Sequence, residues 1–171
     1  MTRPDIPNRI VTNALASVIS AAAAPGQPEA LFAALDKAMG AAIGHKLFTI
    51  LVIHPGAKES QRYYSNMPEA YPVGGRKPIN PTHWFDKVLG EGAPYIGYNY
   101  ADISDVFYDH ELIRSLGCES VLNVPVRWDG RTIATINLLH ERGWYNSGDV
   151  ALGRHFAALA TPGLLKVISE A

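Results

Sequence analysis

From Ser120 to Trp128 and again from Arg131 to His140 the chain is rich in Val, Leu, Ile and Thr, with Asp129-Gly130 between the two runs. That dipeptide supplies the positive φ angles of a two-residue type I′ turn, so the pattern predicts an antiparallel hairpin. A register running back from the turn sets Trp128 opposite Arg131, Val126 opposite Ile133, Val124 opposite Thr135 and Leu122 opposite Asn137. One face then carries Ser120, Leu122, Val124, Val126, Ile133, Thr135, Asn137 and Leu139. The other carries Val121, Asn123, Pro125, Arg127, Thr132, Ala134, Ile136, Leu138 and His140. Asn123 and Asn137 fall on opposite faces unless a bulge intervenes. Neither face is wholly polar, which implies that both are covered.

Helical spacing governs both ends of the chain. Ile6 to Ala24 places Ile10, Val11, Leu15, Val18 and Ile19 at helical intervals, and Pro25-Gly26 closes the run. Pro28 to Ile43 sets Leu31, Phe32, Leu35, Met39 and Ile43 on one stripe, closed by Gly44. Lys46 to His54 reads as a buried central strand. Glu59 to Met67 reads as its hairpin partner, with Tyr63 and Tyr64 pointing to opposite faces. Pro68 to Pro81 gathers Pro, Gly and basic residues and reads as an irregular connection and candidate lid. A short helix at Thr82 to Gly90, a short strand at Pro94 to Tyr98 and a helix at Asp102 to Leu116 follow, the last capped by Gly117. Ser147 is the expected N-cap of a final helix with Asp149 near its positive end, and Pro162-Gly163 is expected to kink or break it.

The composition narrows the classes of function. With 171 residues and 47% hydrophobic content the chain can bury one sizeable core, and a single domain is expected over residues 27–171, preceded by a helical segment, 1–26. The formal charge is −1, from 15 basic and 16 acidic side chains that gather into no run. Nucleic acid and anionic membrane are therefore not the expected partners. One cysteine, Cys118, excludes an internal disulfide. With no leader-like start, a cytoplasmic setting is the expectation. No apolar run reaches the roughly 20 residues of a membrane helix.

The order of helix, two strands, irregular crossover with helices, hairpin and long final helix resembles the GAF domain, an α/β fold related to PAS domains. The most specific segment is GCESVLNVPV, a short turn, then TIATINLLH, with Tyr145 and Asp149 at the start of the last helix. The resemblance covers roughly Pro28 to Ile168. It implies an α+β, GAF/PAS-like central antiparallel sheet, with helices on one face and a crossover segment over the other. It also implies a stand-alone sensory or regulatory domain holding a small organic ligand between sheet and crossover. The segment before the match suggests a homodimer, because helices at that position often build dimers in this family.

Particular ligands of the family fit less well. Cyclic-nucleotide-binding members carry an Asn-Lys pair, a Phe and Asp-Glu, where this chain has His140-Glu141, Tyr145 and Asp149-Val150. Glutamate in place of lysine turns an attraction to the following acid into a repulsion. Enzymes of this fold that reduce free methionine sulfoxide use several cysteines and a carboxylate cluster on the hairpin. Here there is one cysteine, and Val121, Asn137 and Leu139 stand where those carboxylates align.

Individual side chains supply the candidates for a site. Tyr64, Trp84, Tyr98 and Tyr108 are the expected aromatic walls, because clustered tyrosine hydroxyls suit a small polar or aromatic ligand. Asp109, Cys118, Ser120 and Asn123 are the polar candidates. An amide inside an apolar strand either bridges backbone or faces solvent, or else reads a ligand's polar edge. Cys118 is a buried small hydrophobe, a lining thiol or a reactive one. An enzymatic alternative would act on a small organic substrate with Cys118 as nucleophile, or with Asp109 and His110 as acid and base. Six histidines form no close ligating pair, so neither a metal nor a cofactor is expected. His54 and His140, each ending a strand, are expected near one another.

Overall fold

The computed structural model describes residues 3–54, 56 and 58–170. In chain order the elements are α1 (Asn8–Ala22), α2 (Glu29–Ala42), β1 (Leu47–His54), β2 (Glu59–Ser65), β3 (Arg76–Pro78) and a π-helical segment (Phe85–Gly90). There follow β4 (Tyr95–Gly97), α3 (Tyr100–Val106), α4 (His110–Ser115), β5 (Ser120–Trp128), β6 (Arg131–His140) and α5 (Ser147–Ser169). Six strands form one sheet in the order β3-β2-β1-β6-β5-β4, with every recorded pairing antiparallel. This is the expected α+β architecture. Helices α1, α2 and α5 cover one face, and the crossover from Met67 to Leu116 covers the other.

The helix-side core is built from the α2 stripe predicted by spacing. Leu31, Phe32, Leu35 and Met39 are buried against Phe48, Ile50 and Val52 of β1, Leu122, Val124 and Val126 of β5, and Ile136 and Leu138 of β6. Each such side chain contributes about 1.5–3 kcal/mol on burial. Helix α1 spends its own stripe, Val11, Ala14, Leu15 and Val18, on this core and leaves Ile10 and Ile19 exposed. Gln27 ties α1 to α2: its amide donates to the carbonyls of Ala21 (2.7 Å) and Ala24 (2.9 Å), and its oxygen accepts from Leu31 N (3.2 Å).

Several local expectations are corrected. The N-cap of α5 is Asn146, not Ser147. Its side chain accepts from Gly148 N and Asp149 N, while Asp149 Oδ2 accepts from Asn146 N at 2.9 Å, a reciprocal box that satisfies the first turn. Helix α5 then runs unbroken through Pro162. Pro162 and Ala158 are both exposed, so the carbonyl deprived of its donor meets water. The helix expected over Asp102 to Leu116 is two, because Phe107 adopts extended angles (φ −110°, ψ 123°) between α3 and α4. The candidate lid contains a strand, Arg76–Pro78, paired with β2. His54 and His140 lie at opposite ends of the sheet, since Leu47, not His54, pairs beside Leu139.

Two bulges reset which side chains face the crossover. In the hairpin, Arg127 pairs with Thr132 but Val126 pairs with Ala134, leaving Ile133 as an extra residue. Ile133 and Ala134 both join the helix-side core, and every residue beyond them on β6 takes the opposite face from the one expected. Between β1 and β2 the pairing shifts from Ile50–Tyr64 to Leu51–Arg62. As a result Tyr63 and Tyr64 both pack against the helix-side core rather than on opposite faces. Among the described residues, no helix is long and apolar enough to cross a membrane.

Candidate functional site

The crossover face of the sheet is where alternation leaves Leu47, Thr49 and Leu51 of β1, Arg62 of β2, Val121 and Asn123 of β5, and Asn137 and Leu139 of β6. The crossover does not close completely onto this floor. An outer chamber of about 190 Å³ opens between Leu51, Ile53, Arg62 and Lys77 on the sheet and Ile79, Trp84, Phe107 and Tyr108 above it. An inner chamber of about 100 Å³ lies over Leu47, Thr49, Val121, Asn123, Asn137 and Leu139. Leu51, Arg62, Trp84, Phe107 and Asp109 line both, so the two are parts of one cavity. Trp84 and Phe107 meet edge to face at 6.2 Å between ring centroids.

A relay of amides forms the polar part of the floor. Trp84 Nε1 donates to Asn123 Oδ1 (2.9 Å), Asn123 Nδ2 donates to Asn137 Oδ1 (2.7 Å), and Asn137 Nδ2 donates to Thr49 Oγ1 (3.2 Å). The expectation that the two asparagines part to opposite faces is overturned. The bulge at Ile133 brings them directly opposite one another, at 3% and 5% exposure. Buried amides of this kind are tolerated because each finds a partner. The relay also fixes the Trp84 ring at the boundary between the chambers.

A second group mixes charge with an aromatic ring. Arg62 lies over the ring of Tyr71, 4.7 Å from its centroid, and its Nη1 donates to the carbonyl of Pro72 at 3.0 Å. The Tyr71 hydroxyl donates to Asp109 Oδ2 at 2.6 Å. Burial pushes the Tyr71 phenol well above its usual range, and the bond to the Asp109 carboxylate adds to the rise. Burial also lowers the Arg62 pKa, against the raising influence of Tyr71 and Asp109. The guanidinium nonetheless stays protonated at any ordinary pH.

Of the side chains singled out by sequence, Trp84, Tyr108, Asp109 and Asn123 line the cavity. Tyr108 stands at the mouth, 73% exposed, and its hydroxyl accepts from Lys77 Nζ at 2.8 Å. The other four lie elsewhere. Tyr64 faces the helices and donates to Asp36 Oδ2 at 2.6 Å. Tyr98 is 53% exposed at the end of β4 and lines neither chamber. Ser120 is buried, and its hydroxyl is held by the carbonyls of His140 (3.3 Å) and Glu141 (2.7 Å).

The groups named for catalysis do not converge. Cys118 is fully buried among Leu47, Ile113, Val121 and Leu139, and burial pushes its thiol up to about 11. His110 Nδ1 lies 2.6 Å from the Tyr100 hydroxyl, with the His110 ring packed edge to face on Tyr100, whereas neighbouring Asp109 lines the cavity and accepts from Tyr71. The residues that sequence reasoning passed over are Arg62, Tyr71 and Lys77. The one available signal was an arginine at the centre of a strand otherwise made of small, polar and aromatic residues, ESQRYYS.

Comparison with known proteins places this geometry in context. The GAF domain from a phosphoenolpyruvate-protein phosphotransferase of Coxiella burnetii superposes with a TM-score of 0.75 at 11% identity, covering 95% of this chain and 96% of that one. The free methionine-R-sulfoxide reductase from Neisseria meningitidis, solved with its substrate, gives 0.70 at 13% identity over 100% and 99% of the two chains. The GAF domain of an Acinetobacter phosphoenolpyruvate-protein phosphotransferase gives 0.73 at 10% identity, over 99% and 98%. At these identities the likeness is one of fold. Val121, Asn137 and Leu139 all line the inner chamber and carry no acid. Comparison with curated proteins finds no match. The family model for the GAF domain matches residues 30–161, from α2 through most of α5, and the chain belongs to the GAF domain family.

Proposed function

We propose that this chain is a sensory or regulatory domain that takes up one small organic molecule between its sheet and its crossover. The observation that carries the reading is the two-chambered cavity, with an apolar body of Leu51, Phe107 and Trp84 and a few convergent polar groups, Arg62, Asp109 and Asn123. The two chambers, of about 190 and about 100 Å³, together reach no further than the lower end of the roughly 300–1,000 Å³ that holds drug-sized ligands, so the molecule is small. Binding is favoured over catalysis because the thiol and the imidazole named for chemistry line neither chamber, while the groups that do are partnered by hydrogen bonds suited to positioning.

Native mass spectrometry of freshly purified protein, paired with ligand-observed NMR of a fragment set, tests this reading. Fragments should bind the wild type, and Leu51→Trp, which fills the space common to both chambers, should abolish that binding with the fold retained. Binding that survives Leu51→Trp places the ligand elsewhere and refutes the reading.

A further inference from the structure

We propose that the ligand is a small carboxylic acid, held as its carboxylate on the Nε–Nη2 edge of Arg62, with its carbon body over Leu51 and against Trp84 and Phe107. This rests on the binding reading above and specifies the chemistry of its ligand.

Arg62 has no carboxylate oxygen of a described residue within 4 Å of its guanidinium. Arg62 is half-buried, and its Nε is buried with no partner among the described residues. Nη1 is occupied by the Pro72 carbonyl. What remains is the edge formed by Nε and Nη2, whose parallel donors match the two oxygens of a carboxylate. Leaving such a donor unpaired is costly, more so on a charged group. Arg3, Arg76 and Arg114 each lie within 4 Å of a carboxylate oxygen, although Arg76 and Arg114 are 44% and 59% exposed. Arg62, the one of these four that lines the cavity, forms no such pair with a described residue. Asp109, which lines the same space, directs Oδ2 to Tyr71 instead.

The surroundings select the class of anion. A phosphate dianion would meet the Asp109 carboxylate across a small space, and only one guanidinium edge would be there to offset it. A carboxylate brings a single charge and the planar geometry that the free edge fits. Its carbon skeleton has apolar walls to rest on, since Leu51, Ile53, Ile79, Val106 and Phe107 line the outer chamber. Lys77 at the mouth, its ammonium held on the Tyr108 hydroxyl, adds positive potential on the way in.

The test is calorimetric titration of benzoate, phenylacetate and cinnamate, each against its primary amide, into wild type, Arg62→Gln and Arg62→Lys. At least one acid should bind wild type about tenfold to a hundredfold more tightly than its amide, the range expected for charged hydrogen bonds. Arg62→Gln should bring acid and amide together, by weakening the acid far more than the amide. Arg62→Lys keeps the charge but not the two-donor edge, so it should retain only part of the preference; it also decides the matter if the glutamine variant does not fold. Equal binding of acids and amides to wild type overturns this inference and leaves the cavity as a binding site. A preference that persists in both variants overturns the assignment to Arg62. If neither acids nor amides bind, the inference falls together with the binding reading beneath it.

Discussion

Replacing Asn123 and Asn137 together by leucine should cost less than the sum of the two single replacements. In Asn123→Leu two groups lose their partner: the Trp84 indole N–H and the Asn137 side-chain oxygen. The indole belongs to a half-buried residue and can turn to water, but Asn137 is 5% exposed and its oxygen cannot. An unpaired buried acceptor of this kind costs about 1–3 kcal/mol. Asn137→Leu strands the Asn123 amide and the Thr49 hydroxyl, at a similar cost of about 1–3 kcal/mol. In the double variant neither half of the Asn–Asn bond is left behind, so that penalty is not incurred twice. The expected coupling is about 1–2 kcal/mol, with the double variant more stable than the sum of the singles. Urea unfolding followed by far-UV circular dichroism reads each value, and each single should lower the midpoint temperature by about 2–4 °C per kcal/mol in a chain of this length. Additivity within about 0.5 kcal/mol would refute the claim that the two amides depend on one another.

Cys118 provides a pH test. Its thiol is pushed up to about 11 by burial, above the roughly 8.5 of an unfolded chain, so its contribution is complete below about pH 8.5 and is lost as pH rises through about 11. Over that window the wild type should lose stability relative to Cys118→Ala, by roughly 1.4 kcal/mol for each pH unit crossed. Parallel stability curves for the two proteins would contradict it. Gly44→Ala should lower stability by about 2–4 kcal/mol, since φ there is +102° and a Cβ would stand 2.8 Å from Trp144 Nε1, which donates to the carbonyl of Ile43. Gly26→Ala, with φ +86° and open space around it, should incur only the backbone part. Equal losses in the two would show that the Trp144 contact is immaterial.

The parts of the fold legible in the sequence were those with a strong local period or an unambiguous turn. Asp129-Gly130 fixed the hairpin and its ends, with Asp129 at φ +50° and Gly130 at +75°. The stripe from Leu31 to Met39 fixed α2 and its buried face. The bulges at Tyr63 and Ile133 were not legible, because each is an ordinary residue whose extra place in the strand is decided by packing on both faces. Arg76–Pro78 is too short and too polar to show alternation, and it pairs only because β2 is beside it. The cavity was half legible on the same grounds. Aromatic clustering pointed to Trp84 and Tyr108, whereas Tyr71 lies in a Pro- and Gly-rich stretch. Arg62 takes its place from a register shift that no local pattern announces.

The extra residue in β6 makes the hairpin one position longer than its pairing requires. Removing Ile133 would leave Val126 opposite Ala134 and Asn123 opposite Asn137, because the bulge lies between the turn and the site. A relative with a regular hairpin could therefore hold the same floor with one residue fewer. Counted outward from the shared turn, each of its floor positions on that strand would then carry the wrong counterpart. Positions on this strand are therefore better matched by strand partner than by distance from the turn, and a one-residue gap at Ile133 is neutral for the floor of the cavity.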